Sequence, residues 1–180
     1  MKIPVSKKFK GKLCANCARA TATTDDHVFA REFFLREDRH KLPKAPACQE
    51  CNGSKSRLEH YLTAVLPFGG RHPQAVEALQ SGVPPRLAKN RKLQRKLANT
   101  MEPAWVREGT GLFQPTSMIS FDGAQLEELL KYIARGLAWH HWNLYLGRED
   151  DVSVMFLTEC PDSSLSEHDL DMESCTESGE

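Results

Sequence analysis

Hydrophobic residues recur with helical spacing in one stretch of the first half of the chain. Between positions 49 and 66, Leu58, Leu62 and Val65 follow one another at intervals of three or four residues. This spacing places them on one face of an amphipathic helix, and Pro67 directly after the stretch ends it. The pattern therefore predicts a helix with one buried side.

The segments before this helix have the composition of short strands. Residues 22–34 mix β-branched and aromatic residues around an acidic turn, which predicts a short hairpin or strand pair. Residues 42–48 contain two prolines, which hold the backbone extended. We therefore expect a β-β-α unit within residues 13–70, preceded by a flexible basic arm at 1–12.

Residues 71–157 are predicted to form a mainly helical accessory region. Short helices are expected at 73–81 and 85–98, and a loop rich in Gly, Pro, Ser and Thr follows at 109–120. An apolar stripe at helical spacing along 123–146 predicts the longest helix of the chain.

The helix at 123–146 carries clear boundary signals. Asp122 can cap its first turn with Gln125 reaching back, and Gly147 is expected to stop it. A glycine inside a helix costs about 1 kcal/mol relative to alanine, so Gly136 predicts a close backbone approach. The helix either covers the β-β-α unit or pairs with a second copy to form a homodimer.

The last part of the chain has a different composition. A strand is predicted at 152–157, after which residues 158–180 hold eight acidic residues and no Lys or Arg. Such a segment buries too little apolar surface to offset its ordering entropy. We expect a disordered acidic tail.

The net charge of zero hides a strong asymmetry. Residues 1–100 carry 20 Lys and Arg against 8 acids, a balance of +12, whereas residues 101–180 carry 4 against 16, a balance of −12. A basic half of this kind indicates a polyanionic partner or a solvated basic surface.

The sequence contains no segment suited to a membrane. No apolar stretch approaches the roughly 18 residues that a membrane-spanning helix needs. The basic N-terminal residues lack the apolar centre of a signal peptide. A cytoplasmic location without membrane association is therefore expected, where thiols stay reduced.

Four of the six cysteines form two Cys-x-x-Cys pairs. Two such pairs place four thiolates on two tight turns, and tetrahedral Zn²⁺ accepts four sulfurs. A redox motif of the thioredoxin kind is the alternative, but it has no need of two copies. A closed site leaves no position for water, so we expect structural Zn²⁺. The predicted ligands are Cys14, Cys17, Cys48 and Cys51.

Residues with catalytic chemistry lie beside these cysteines. Asp26 and His27 end the predicted first strand, and Asn52 follows the fourth cysteine. With the first cysteine pair, the Asp-His-Val at 26–28 and the ACQECNGSKS at 47–56, the sequence resembles the HNH endonucleases, also called ββα-metal nucleases. The resemblance covers about residues 13–70.

The resemblance implies an α+β fold: a small zinc-stapled ββα-metal core, followed by the mainly helical accessory region and the disordered tail. It also implies hydrolysis of phosphodiester bonds in DNA, expected to be double-stranded, with Mg²⁺ or Mn²⁺. His27 would be the general base, and Asp26 and Asn52 would ligate the catalytic metal. Asp25 is the alternative to Asp26, and a helix cap is the alternative role for Asn52.

The chemistry of these residues agrees with those roles. Histidine has the pKa of a base near neutral pH, and carboxylate and amide oxygens are hard ligands that suit Mg²⁺. Neighbours in a strand point to opposite faces, so Asp26 and His27 need a bulge or turn to converge. The family's middle residue, which orients the histidine, falls near Pro43, which has no polar side chain. A backbone carbonyl is the expected substitute.

Cations around this unit and in the basic helix are candidates for phosphate contacts, with solvated surface positions as the alternative. The candidates are Arg31, Lys55, Arg57, Lys89, Arg91, Lys92, Arg95 and Lys96.

Two functions compete with an active nuclease. A non-catalytic zinc-ribbon module that binds nucleic acid or protein would explain the cysteines alone. An HNH-like fold that has lost turnover would explain Pro43. The Asp-His pair together with Asn52 favours the nuclease, because a binding module needs no base beside hard-metal ligands.

Overall fold

The structure is a computed structural model that describes residues 6–34, 36–70, 72–107 and 111–155. It combines helices with two small antiparallel sheets, as the α+β prediction required. No helix among these residues has both the length and the apolar character needed to cross a bilayer. The predicted tail at 158–180 lies outside the described residues.

The β-β-α order predicted for the first unit is present. Strand β1 (Thr24–His27) pairs antiparallel with β2 (Lys44–Ala47), and helix α1 (Gln49–Val65) follows directly. Thr24 lies opposite Ala47 and His27 opposite Lys44, in an uninterrupted register.

The hairpin predicted within residues 22–34 is wrong. That segment supplies one strand, then enters a 3₁₀ turn at Arg31–Phe33, and a second 3₁₀ turn occupies Arg36–Lys41. The partner strand is the proline-containing segment, whose extended backbone needs no further ordering to pair. Composition indicated strand-forming residues but not which segments would pair.

Helix α5 (Gly123–Trp142) has the predicted start and a different end. The Oδ1 atom of Asp122 accepts a hydrogen bond from the Gln125 N–H at 3.4 Å, and the Gln125 side chain donates to Oδ2 at 2.7 Å. The helix ends at Asn143, which adopts a left-handed φ of 53°, before the predicted stop at Gly147. Asparagine tolerates this conformation and can terminate a helix as glycine does.

Helix α5 covers the β-β-α unit. Trp139 is buried with Val28 of the unit and Ala45 of β2, and Leu129 is buried with Leu62 of α1. Its apolar face is therefore occupied by the same chain. Dimerisation through this helix stays a prediction.

The N-terminal residues from Ser6 onward fold against α5, unlike the flexible arm expected there. Phe9 is only 2% exposed and lies edge-on to Trp139, with 5.4 Å between ring centroids. The segment is mainly basic, so its composition did not indicate that Phe9 would be buried.

The helices between residues 73 and 99 are divided differently from the prediction. Helix α2 (Pro73–Glu77) continues through a π turn into α3 (Val83–Lys89), and α4 (Arg91–Asn99) follows. Asn90 breaks the basic helix expected at 85–98, because its side-chain Oδ1 accepts a hydrogen bond from Leu93 N–H at 3.1 Å and caps α4.

A second two-stranded sheet lies after α4, with one strand in the segment expected to be a loop, 109–120, and the other just before it. Strand β3 (Glu102–Arg107) pairs antiparallel with β4 (Phe113–Met118). The proline and serine content of residues 109–120 concealed the strand. The strand predicted at 152–157 is absent from its described part, 152–155, and the remaining two residues lie outside the described residues.

Gly136 makes the close approach that its position predicted. A Cβ atom there would lie 3.0 Å from Val28 Cγ2 and 3.1 Å from Cγ1. We expect Gly136→Ala to lower the free energy of unfolding by about 1 kcal/mol, since overpacking outweighs the gain in helix propensity. The same substitution in a Val28→Ala background should be neutral or stabilising. Urea unfolding of the four proteins measures this coupling.

Gly53 of α1 is the matched control, because its added Cβ would meet only the end of the Arg57 side chain at 3.9 Å. Gly53→Ala should stabilise the protein. A Gly136→Ala protein more stable than the wild type would contradict the packing explanation.

Candidate functional site

The four cysteines of the two Cys-x-x-Cys pairs meet at one place. Their Sγ atoms all lie within 4.8 Å of one another, and all four residues are buried free thiols. Cys14 and Cys17 come from a turn before β1, while Cys48 and Cys51 come from the first turn of α1. The cluster therefore joins the N-terminal turn to the start of the helix.

The geometry of the cluster suits a tetrahedral metal ion. Sulfurs at about 2.3 Å from a tetrahedral Zn²⁺ are about 3.8 Å apart, which is compatible with the separations in the cluster. Backbone N–H groups of Asn16 and Cys51 donate to Cys14 Sγ at 3.4 Å and Cys48 Sγ at 3.5 Å. The four cysteines could hold a metal such as zinc.

The cysteines differ in the ease with which they ionise. Burial raises the pKa of the Cys14 thiol to about 11 and also raises that of Cys51. Burial acts in the same direction on Cys17, but backbone hydrogen bonds outweigh it and lower the pKa to about 7. Metal binding at this cluster would therefore release protons from buried thiols.

Arg148, which sequence reasoning missed, lies against the cluster. Its Nη2 atom is 3.8 Å from Cys51 Sγ and 3.5 Å from Glu50 Oε1. A guanidinium there offsets negative charge on the sulfurs. The sequence did not indicate this contact, because Arg148 is 97 positions away from Cys51.

Asp26 is buried in a three-residue ionic cluster. The carboxyl is 8% exposed as a residue and lies 3.3 Å from the ammonium of Lys55, which is 1% exposed. Lys55 Nζ also donates to Glu59 Oε1 at 2.5 Å and to the His27 carbonyl at 2.6 Å. Burial raises the pKa of Asp26 to about 6, against the opposing effect of Lys55.

This arrangement corrects the role expected of Lys55. The residue was a candidate for phosphate contact at the surface, but its ammonium lies inside the protein between two carboxylates. Helical spacing explains the difference, since Lys55 lies on the same side of α1 as Asn52, which faces β1. The sequence alone did not show which cations of α1 face inward.

Asn52 faces the same strand as Lys55. Its Nδ2 atom donates to Thr24 Oγ1 at 3.1 Å, and Thr24 and Asp26 share one face of β1 because they are two residues apart. The structure thus brings Asp26 and Asn52 to one interface between β1 and α1. The helix cap is Cys48, whose Sγ accepts from Cys51 N–H, so Asn52 does not cap the helix.

His27 lies on the other side of the strand. The register of β1 with β2 has no bulge, so strand alternation places the imidazole on the face opposite Asp26. The turn or bulge expected to bring these two side chains together is not formed. Asp25, the alternative ligand, shares the His27 face, where its Oδ1 accepts from Ser6 N–H at 2.8 Å.

Three cations and one acid, Glu32, act on the half-buried His27 imidazole. Burial lowers its pKa, and the charges of Lys44, Arg31 and Lys55 lower it further. The ring is therefore neutral at neutral pH. A backbone carbonyl was expected to orient this ring, but that of Pro43 accepts a hydrogen bond from Val28 N–H at 2.9 Å. Among the described residues, no partner forms a hydrogen bond with the His27 imidazole.

Two of the other predicted phosphate-contacting cations line a cleft, four lie on α4, and Arg31 lies in the 3₁₀ turn after β1. A cleft of about 840 Å³ lies between α1 and the α3–α4 pair, with Arg57 and Lys89 among its lining residues. Arg86, at its wall, donates from Nη1 to the Thr63 carbonyl at 3.0 Å. The predicted phosphate-contacting residues other than Lys55 are all exposed: Arg31, Arg57, Lys89, Arg91, Lys92, Arg95 and Lys96.

No protein-family model matches this chain, and neither curated proteins nor solved structures give a match. The site is therefore interpreted from its own residues.

Lys55 should be indispensable for stability, because its removal leaves the buried Asp26 and the partly buried Glu59 without a cation. Breaking a buried ion pair from one side costs about 3 to 5 kcal/mol. We expect Lys55→Met to lose stability on this scale in urea unfolding. Adding Asp26→Asn and Glu59→Gln should restore much of it.

Lys131 provides the matched control, since it forms a lysine–glutamate pair four residues apart with Glu127, at 2.7 Å on the surface of α5. Lys131→Met should have far less effect than Lys55→Met. Equal losses in the two variants would show that the burial of Lys55 has no energetic consequence.

Proposed function

We propose that this protein is a metal-dependent endonuclease that hydrolyses phosphodiester bonds in DNA, and that it belongs with the HNH-type nucleases. The observation that carries the proposal is the meeting of Asp26 and Asn52 at the β1–α1 interface, 26 positions apart in the sequence. Carboxylate and amide oxygens are suited to a hard divalent cation. His27 at the end of the same strand supplies a neutral imidazole.

In this proposal the His27 imidazole turns from the opposite face of the strand toward the Asp26 side when DNA binds, and accepts a proton from the water that attacks the phosphate. Its lowered pKa keeps the imidazole unprotonated and ready for this step. Lys44 and Arg31, whose charges act on the ring, attract the negatively charged substrate to the same place. Lys44 lies directly opposite His27 in the strand register.

Asp26 and Asn52 would hold Mg²⁺ or Mn²⁺, which supplies charge neutralisation at the phosphate when bound. Asp26 would then have the divalent cation as the partner of its carboxylate in place of the Lys55 ammonium. Lys55 would keep its contacts with Glu59 and the His27 carbonyl. Without a divalent cation, the Lys55 ammonium compensates the charge of the buried Asp26 carboxylate.

The cysteine cluster has a separate role in this proposal, as a structural Zn²⁺ site. With four sulfur ligands it offers no open position for water. Binding of zinc to such a site contributes on the order of 10 kcal/mol to folding. The ion would hold the turn at Cys14 and Cys17 against α1, on which Asn52 lies one residue after Cys51.

A second candidate is a DNA-binding module of the same fold without turnover. It is favoured by two observations: the Asp26 carboxylate is already neutralised by Lys55, and the imidazole of His27 lies on the opposite face of the strand. Such a module would keep the cleft lined by Arg57 and Lys89, and it would keep the zinc site. Cleavage assays separate the two candidates.

Purified protein should nick supercoiled plasmid in the presence of Mg²⁺ or Mn²⁺. We expect His27→Ala to reduce the rate by about 10²- to 10⁴-fold, the usual contribution of a general base. Asn52→Ala should lose activity that extra metal partly restores. Gel quantification of nicked plasmid measures both effects.

His72→Ala is the control for this assay, because His72 is exposed and lies at the start of α2, outside the β1–α1 interface. It should retain full activity. Undiminished nicking by His27→Ala would refute the assignment of the base. A wild-type protein that binds DNA without nicking it would establish the second candidate.

Purified protein should contain one zinc ion per chain, and Cys14→Ala should lose both the ion and the folded state. Elemental analysis and circular dichroism measure the two quantities. Cys160→Ala, which leaves all four clustered cysteines unchanged, is the control and should retain both. A stable, folded Cys14→Ala protein would argue against structural zinc.

A further inference from the structure

The β3–β4 ribbon exposes both of its faces. Of its twelve residues, only Ala104 is partly buried. Trp105 is 69% exposed and Phe113 is 64% exposed. A two-stranded sheet in water normally needs a covered face to be stable. Large aromatic side chains in this setting indicate a surface that contacts another molecule.

The strand register sorts these side chains by face. Trp105 lies opposite Pro115, and Arg107 lies opposite Phe113. Directly opposite residues share a face, and so do residues two positions apart. Trp105, Phe113 and Arg107 therefore form one surface, which we call the aromatic face. Val106 and Met118 lie on the other face.

The base of the ribbon is fixed to the protein core. Leu97 of α4 is buried, and two residues separate α4 from β3. After β4, Ile119 packs on the same cluster, and the backbone N–H of Asp122 donates to Tyr61 Oη at 3.0 Å. The aromatic face is thus held at a defined position by anchors at both ends.

Two features disfavour a protein strand or a second copy as its partner. Pro103 and Pro115 each remove a donor from a strand whose outer edge is open, which hinders edge-to-edge pairing. A ribbon of six residues is about 20 Å long, so one face offers roughly 200 Å². A stable dimer interface buries about 800 Å² per partner.

The positive charge of the helices that lead into the ribbon favours a nucleic acid as the partner of the aromatic face. Residues 83–99, which lead into β3, contain six Lys and Arg and no acid. Four of these cations lie on α4, and all four are exposed. Exposed aromatic rings next to cations that track a phosphate backbone are the combination that binds unpaired nucleotides, because each base can stack on a ring.

We propose that the aromatic face binds unpaired bases of DNA, with Trp105 and Phe113 stacking on bases and Arg107 contacting a phosphate. The inference extends the proposed function and rests on it for the choice of DNA. It names the substrate class as DNA with a single-stranded or opened segment. Binding at this face requires no turnover.

The test compares the affinities of a fluorescent oligothymidylate and of a duplex, each about 20 nucleotides long, by anisotropy without added divalent metal. Trp105→Ala and Phe113→Ala should each weaken oligothymidylate binding by about 5- to 100-fold, the range expected for the loss of one stacked base. Duplex affinity should change less. Circular dichroism of each variant confirms folding.

Met118→Ala is the matched control, since Met118 is 59% exposed on the opposite face of the same ribbon. It should leave both affinities unchanged. As a second readout, oligothymidylate should quench tryptophan fluorescence in Trp142→Phe but not in Trp142→Phe/Trp105→Ala. The buried Trp139 remains in both proteins as an internal reference.

Unchanged oligothymidylate affinity in Trp105→Ala and Phe113→Ala would overturn the proposal. So would a shift in sedimentation from dimer to monomer in these variants at constant affinity, because the ribbon would then join two copies. Stacking without plasmid nicking would refute the nuclease and leave this inference standing. Plasmid nicking without base stacking would support the nuclease and overturn this inference.

Discussion

The fold depends on the meeting of four sulfur atoms from two distant segments. The turn at Cys14 and Cys17 precedes β1, and Cys48 and Cys51 begin α1, so the cluster sets the strand and the helix against each other. Asn52 follows directly in the helix and reaches Thr24 of the strand. The position of the candidate catalytic residues therefore follows from the position of the cysteines.

The second constraint is the buried ammonium of Lys55. It lies between the carboxylates of Asp26 and Glu59 and also holds the His27 carbonyl. An unpaired charge in this location is costly, so the three ionised groups are mutually dependent. The interface between β1 and α1 is thus organised around one ammonium group.

Local patterns predicted the elements whose causes are local. Helical spacing predicted α1, and the Asp122–Gln125 pair predicted the start of α5. The two cysteine pairs also predicted the cluster, although they are far apart in the chain, because a tetrahedral ion needs the ligands of both pairs. Pairing of strands, the inward direction of Lys55 and the contact of Arg148 with Cys51 depend on residues far apart in the chain. No spacing rule within one segment carries that information.

The burial of Trp139 against Val28 and Ala45 has a consequence for how such a unit can be reused. The region after the β-β-α unit supplies part of the unit's hydrophobic core. The unit is therefore not an independently folding domain. A shuffled or transplanted fragment ending near position 70 would expose these apolar residues to solvent. A rearranged protein that keeps this unit would have to retain this helix, or supply another apolar surface of the same shape.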